Sequence, residues 1–199
     1  MILRELTDLI DIACKCISDS NANIKICELG DQLMDASPYK TGKAYILSKG
    51  VKEHVSIDLN GKNGAIPIDL SKPIDRWKDY FDIVTDYGTI EHVIDQYWVF
   101  KNVHNMIKIG GTIIHTLPQI GYYKNHCDFH YDINFFEEMA RLNNYSLKLL
   151  ESRTIHGRRG NRNQNLVCCI FLKQYAGDFM KEEDFYKNKG LHINAKNKM

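Results

Sequence analysis

No stretch of the 199 residues approaches the roughly 20 consecutive apolar positions that a membrane-spanning helix needs. A membrane protein is therefore not expected. The N-terminus, MILRELTDLIDIACKC, carries acids among its apolar residues and lacks a signal-peptide cleavage pattern. The six cysteines include no C-x-x-C pair, and Cys14/Cys16 and Cys168/Cys169 are too close to bridge in ordinary geometry. Reduced, mostly buried thiols are expected, and with them a cytoplasmic location. Neither sign of charge dominates: 26 Lys and Arg against 25 Asp and Glu leave a formal net charge of +1. That predicts no strong attraction to nucleic acid or membrane. The Gly-x-Gly-x-x-Gly loop that cradles a pyrophosphate is also missing. There is no repeat, and no linker that would divide the chain. Residues 1–180 are expected to form one domain opened by a helix over 1–20, with a flexible tail over 181–199 rich in Lys, Asn and Glu.

What is present is organised around residues 80–118, YFDIVTDYGTIEHVIDQYWVFKNVHNMIKIGGTIIHTLP. Residues 81–84 read as a buried strand and 85–89 as a polar turn. Ile90, Val93, Tyr97, Phe100, Val103 and Ile107 recur at helical spacing. Gly110-Gly111 breaks that helix, and 112–117 reads as a second strand stopped by Pro118. This is a β-α-β unit of the kind that builds parallel sheets. Before it, an amphipathic face of Ile2, Leu3, Leu6, Leu9, Ile10, Ala13 and Ile17 predicts a helix ended by Ser18 to Asn21. Strands are expected at 24–29, 54–58 and 65–70, with short helices at 44–49 and after Pro73 to about Asp79. Beyond it, 134–143 reads as a helix, and 146–152 and 166–172 as a final pair of strands. The implied class is α/β, an open, mostly parallel sheet with helices on both faces.

The residues at strand ends carry the chemistry. The first strand ends at Gly30, where the backbone can turn sharply beside a ligand. The second ends at Asp58, whose carboxylate could accept both hydrogen bonds of a ribose diol. Asp69 ends the third and could accept from an adenine amino group. An acid in the first turn, Asp31, would repel a pyrophosphate but suits a ligand bearing an ammonium group. Together these point to S-adenosylmethionine.

The segments IKICELG, HVSIDLNG, AIPIDLS, FDIVTDYGTIEHV and MIKIGGTIIHTLP resemble the class I S-adenosylmethionine-dependent methyltransferases over residues 24–172. That resemblance implies a Rossmann-like, mostly parallel seven-stranded sheet with a reversed last strand. It implies that Glu28, Gly30, Asp31 and Gln32 hold the methionine end of the donor. Asp58 and Leu59 would take the ribose, Asp69 and Leu70 the adenine, and Asp86, Tyr87 and Gly88 would line the methyl group. The sequence departs from the family at Asp31 and Gln32, where further glycines are usual; the Gln32 amide would replace backbone contacts there.

The family motif for methylating base amino groups, Asp/Asn-Pro-Pro-Tyr/Phe, is absent. Some O-methyltransferases of the family carry Glu-x-x-Glu-His at residues 88–92 and bind a divalent cation. Gly88 stands at the first acid here, but Glu91-His92 remain, and His126-x-Asp128-x-His130 follows the fifth expected strand. Glu91, His92, His126 and His130 are thus candidate metal ligands. His92, His126 and His130 are equally candidate general bases, since imidazole titrates near neutrality. Tyr122, Tyr123, Phe129 and Tyr131 could wall an acceptor pocket or be core; Trp77, Trp98, Phe100, Cys168 and Cys169 read as core. The run Arg158 to Asn163 reads as a solvated hairpin tip, or as a clamp for an anionic group.

The expectation is a methyltransferase acting on a hydroxyl, or an amine, of a small molecule or sugar, with a divalent metal as an option. The alternatives are a nucleic-acid or nucleotide methyltransferase, opposed by the near-neutral charge, and a catalytically silent module that binds a ligand or partner protein. A nicotinamide oxidoreductase is a more distant reading. The sequence does not specify an oligomeric state.

Overall fold

The computed structural model describes residues 1–17, 23–35, 38–156 and 163–193. Its strands are β1 (Lys25–Leu29), β2 (Glu53–Ile57), β3 (Phe81–Tyr87), β4 (Ile107–Pro118), β5 (Phe129–Tyr131), β6 (Tyr145–Ile155), β7 (Gln164–Lys173) and β8 (Leu191–Ile193). The helices are α1 (Asp8–Lys15), α2 (Gly42–Ser48), α3 (Gln96–Met106), α4 (Ile133–Asn143) and α5 (Glu182–Tyr186). Six strands form one sheet in the order β2-β1-β3-β4-β7-β6, and β5 pairs with β8 apart from it. β2, β1, β3 and β4 are parallel. β7 runs against both β4 and β6.

Strand composition explains the central sheet. β3 is buried at every position, as a parallel strand covered on both faces should be. Its side chains alternate between two cores. Val84, Ile113 of β4 and Phe171 of β7 face α3 and α4, where Phe100, Phe135 and Phe136 lie. Ile83, Ile114 and Ile170 face α1 and α2, against Leu9, Ile10 and Ile46. Asp95 caps α3 by accepting the Trp98 amide at 3.0 Å, and Asp132 caps α4 through the Phe135 amide at 3.0 Å. Asn144 ends α4 in the left-handed conformation, φ 54°.

Several expectations change. The third strand is reduced to one bridge, Ile57 to Ile66, so among the described residues the sheet has six strands rather than seven. Pro67 has no N–H with which to continue that ladder. No helix forms after Pro73; Trp77 and Asp79 adopt positive φ of 62° and 46°, which a helix does not permit. β3 runs on through Thr85 to Tyr87, the expected turn. Ile90–His92 is a separate 3-10 turn, and α3 begins only after Asp95. β4 starts at Ile107 and passes through the glycines; its register with β3 jumps from Phe81–Ile107 to Ile83–Thr112, and the intervening residues bulge. A Cβ on Gly111 would stand 2.9 Å from the Asp82 carbonyl oxygen, so glycine is needed there. At the N-terminus Ile2 bridges to Met34 instead of joining a helix, and Arg4–Leu6 is a 3-10 turn ahead of α1. The expected helix end at Ser18 to Asn21 and most of the Arg158 to Asn163 run lie outside the described residues.

The expected tail is also different through residue 193. α5 buries Phe185 completely against Tyr97, Phe100 and Phe135, and β8 zips onto β5. An apolar ring every few residues in a polar stretch is easily read as noise, but one ring in an aromatic cluster suffices for docking. The Phe185→Ala variant is expected to lose about 3–5 kcal/mol of stability in urea denaturation. An unchanged midpoint would mean that residues 181–193 contribute no packing.

Candidate active site

After β1 the chain passes to α2 on one face and outward to β2; after β3 it passes to α3 on the other face and back to β4. The loops leaving the carboxyl ends of β1 and β3 therefore diverge, and open α/β sheets bind ligands in such a crevice. A knot of polar contacts closes its floor. Gln32 Nε2 donates to the Leu29 carbonyl at 3.0 Å and to Thr89 Oγ1 at 2.9 Å, while Thr89 Oγ1 donates to Leu29 at 2.8 Å. Gly30, with φ 81°, lies beneath them, and a Cβ there would come within 2.5 Å of both Gln32 Nε2 and Thr89 Oγ1.

Above this floor is a cavity of about 570 Å³. Of the residues assigned to a donor from sequence, Gly30, Asp31, Gln32, Asp58, Leu59, Asp69, Leu70 and Gly88 line it. Asp58 reaches its rim from the end of β2, accepting the Asp31 and Asn60 amides at 2.9 Å each. Those contacts orient the carboxylate and leave it further acceptor capacity. Asp69 accepts the Ser71 amide and hydroxyl, which hold its carboxyl below the usual range. Leu59 and Ile94 are 72% and 84% exposed, and both border the cavity as apolar surfaces.

Glu28, Asp86 and Tyr87 do not line it. Strand alternation turns Glu28 toward α2, where Ser56 Oγ donates to it at 3.4 Å and His54 Nε2 lies 3.5 Å away. Asp86 is completely buried, accepting the Thr89 and Ile90 amides at 3.0 and 3.3 Å and pairing with His115 Nδ1 at 3.0 Å. Its work is to hold the turn after β3. Tyr87 faces a second cavity.

That second cavity, about 340 Å³, lies across Gly88 from the first, and Gly88 and Met1 border both. Glu91 and His126 belong to its wall, and His92 to the wall of the first. Glu91, His92 and His126 each offer a ligand atom within 4.8 Å of one another. The His92 and His126 rings meet edge to face with centroids 5.2 Å apart. His130 is not brought to this group; its Nε2 lies 3.4 Å from the Tyr123 carbonyl oxygen and 3.7 Å from Cys127 Sγ, and its strand partner is His192. Period-two alternation along β5 sends it elsewhere.

Burial, with the Asp86 carboxylate nearby, pushes Glu91 up to about 8. Burial and neighbouring His126 push His92 down, so it is neutral at pH 7. Of the four aromatics proposed as walls, Tyr123 lines the second cavity, Phe129 and Tyr131 are buried, and Tyr122 is exposed. Sequence reading missed Thr89, Val93 and Ile94 in the first cavity. Asp95 as a helix cap was the available signal, since it places the residues before it in a loop rather than on a helix.

No family model matches the chain, and no curated protein matches it. Solved structures share its fold. The 1,6-didemethyltoxoflavin-N1-methyltransferase of Burkholderia thailandensis, with 1,6-didemethyltoxoflavin and S-adenosylhomocysteine bound, is 12% identical at a TM-score of 0.53, over 75% of this chain and 72% of that one. An S-adenosylmethionine-dependent methyltransferase from Mesorhizobium loti is 12% identical at 0.52, over 83% and 97%. The methyltransferase CalH, in complex with S-adenosylhomocysteine, is 12% identical at 0.51, over 84% and 55%. The chain has the Rossmann-like α/β fold of S-adenosylmethionine-dependent methyltransferases.

Glu91 makes a test of this electrostatic environment. Its folded pKa of about 8 stands above the ordinary 4.5, so between these values the folded protein holds the extra proton. Stability must then fall as pH rises through that window. Glu91→Gln is expected to flatten the fall in urea midpoint between about pH 5 and pH 8.5. Equal slopes in variant and parent would place Glu91 in water instead.

Proposed function

We propose that the protein is an S-adenosylmethionine-dependent methyltransferase that methylates a hydroxyl, or an amine, of a small-molecule acceptor. The observation that carries this reading is the pair of cavities meeting at Gly88. One is rimmed by Asp58 and Asp69 at strand ends; the other is mostly apolar; Glu91, His92 and His126 gather at the junction. Among proteins with this fold, the Burkholderia enzyme holds a small heterocycle together with S-adenosylhomocysteine.

The donor cavity suits an adenosyl group. Asp58 offers carboxylate oxygens to a ribose diol, and Leu59 and Ile94 offer apolar faces to a purine ring. Asp69 offers an acceptor for its amino group. Asp31 would meet the methionine ammonium, and the Gln32 amide would meet the carboxylate by releasing an N–H now given to Leu29 or Thr89. Bound S-adenosylmethionine supplies a methyl on a sulfonium, which is already activated for displacement, so the protein contributes mainly proximity and orientation. Gly88 borders both cavities and has no side chain to stand between them; the nearest group to a Cβ there would be Glu91 Oε1 at 3.1 Å. A lone pair of the acceptor forms the new bond to the methyl carbon as the carbon–sulfur pair returns to sulfur. The acceptor proton passes to neutral His92, to His126 or, above about pH 8, to the Glu91 carboxylate.

The same three residues fit a divalent cation. Two imidazoles and a carboxylate suit Mn²⁺, Fe²⁺ or Zn²⁺ better than Mg²⁺. Such an ion would lower the pKa of an acceptor hydroxyl. His130 has no part in that set.

One observation favours a second reading, a silent ligand-binding module: the Gln32 amide and the Met1 amino group that bonds to it stand where a donor's methionine end would lie. Calorimetry with S-adenosylhomocysteine separates the two. Micromolar binding at one site per chain is expected, and no binding would favour the silent module. Asp58→Ala is expected to weaken that binding by about 2 kcal/mol or more, as a charge-assisted contact is lost. Unchanged affinity would remove Asp58 from the donor site.

A further inference from the structure

Resting on the methyltransferase reading, the second cavity narrows the acceptor. Two of its polar side chains, Glu91 and His126, lie together. Glu91 lies against Gly88, and His126 packs on His92, which borders the donor cavity. Much of the remaining wall is apolar: Leu3 and Leu6 from the N-terminal segment, Ile155 from the end of β6 and Leu166 from the start of β7, while the Tyr123 ring packs on His126 with centroids 5.7 Å apart. Leu6 is 1% and Leu166 6% exposed. The β4 end adds Pro118, which has no N–H to donate, and Thr116, whose hydroxyl is given to the Asp86 carbonyl at 3.4 Å.

At about 340 Å³ the cavity is near the lower end of the roughly 300–1,000 Å³ that small-ligand sites span. Among the described residues that line it, none is Lys or Arg, and the Met1 amino group at its border is given to Gln32 Oε1 and the Tyr87 carbonyl. Arg153, two residues before Ile155, is committed to Asp8, Glu151 and the Glu5 carbonyl.

We propose that the acceptor is a small, uncharged molecule with an apolar ring body and a single protic group, which it presents to Glu91 and His126 beside Gly88. A sugar would bury several hydroxyls against Leu6, Ile155 and Leu166 with no partners, which is costly. A phosphorylated molecule would bury its charge where no Lys or Arg side chain lines the wall. The sugar acceptor that composition left open is thereby disfavoured. The ring enters apolar end first, and the orientation puts its hydroxyl or N–H beside Gly88.

The test uses the full chain, with and without saturating S-adenosylhomocysteine, titrated with 2-naphthol, glucose and phenyl phosphate. 2-Naphthol is expected to bind with a micromolar Kd and the other two at least a hundredfold more weakly. Ile155→Trp and Leu3→Trp fill the apolar end from two separate segments. Each is expected to weaken 2-naphthol at least tenfold while S-adenosylhomocysteine affinity, which also reports folding, stays within twofold. No 2-naphthol binding, or binding indifferent to both tryptophans, overturns the proposal. Tighter binding of phenyl phosphate than of 2-naphthol also overturns it and makes the acceptor anionic. Failure of the donor reading is seen separately, as absent S-adenosylhomocysteine binding; naphthol binding that either tryptophan weakens would then still support an apolar ligand site.

Discussion

The parallel pairing of β1 with β3 is the constraint on which the rest of the structure depends. It joins strands far apart in sequence, Ile26 beside Ile83 and Leu29 beside Asp86. The connections on either side must then leave in opposite directions. A crevice results at their carboxyl ends, and the protein spends polar side chains to keep it in shape. Gln32 and Thr89 tie the two loops to the Leu29 carbonyl, and Asp86 fixes the turn after β3 from beneath. In this chain an amide and a hydroxyl hold the two loops together, and each of these bonds depends on a particular side chain.

The second consequence is a division of labour among acids that look alike in one dimension. Asp58 and Asp69 end their segments at the surface, where a carboxylate stays solvated and available. Glu28 and Asp86 are one or two residues from a strand end and are buried, so they serve packing and turn geometry. Glu91 lies between: buried, with one carboxylate oxygen unpartnered as one of Glu28's is, but facing the second cavity. A buried oxygen without a partner is costly unless a ligand or proton meets it. Its position beside Gly88 is consistent with a working group rather than a structural one.

The two cavities also show how a small fold separates binding from selection. Strand ends of the parallel half supply the first cavity, the proposed donor side. The second, the proposed acceptor side, is assembled from segments of quite different kinds, including the N-terminal turn, the loop at Tyr123 and His126, and the antiparallel pair β6–β7. Such a wall can vary without disturbing the sheet, which is why one fold accommodates many acceptors.

Read alone, the sequence determined the alternating α/β order, most central strands, and the turn residues Gly30, Asp58, Asp69 and Gly88. It could do so because buried parallel strands are near-continuous apolar runs and their ends are marked by glycine or acid. It did not determine that the third strand shrinks to a bridge or that α3 begins at Gln96; Pro67 and Asp95 signal both, but weakly against a long apolar pattern. It did not show that Phe185 docks residues 181–193, because one ring among charges has no period to read. Only the tertiary structure decided which face each acid and histidine occupies. Glu91, His92 and His126 meet across about 35 residues of chain while His130 turns away, since alternation along a strand and the docking of a loop are set by packing.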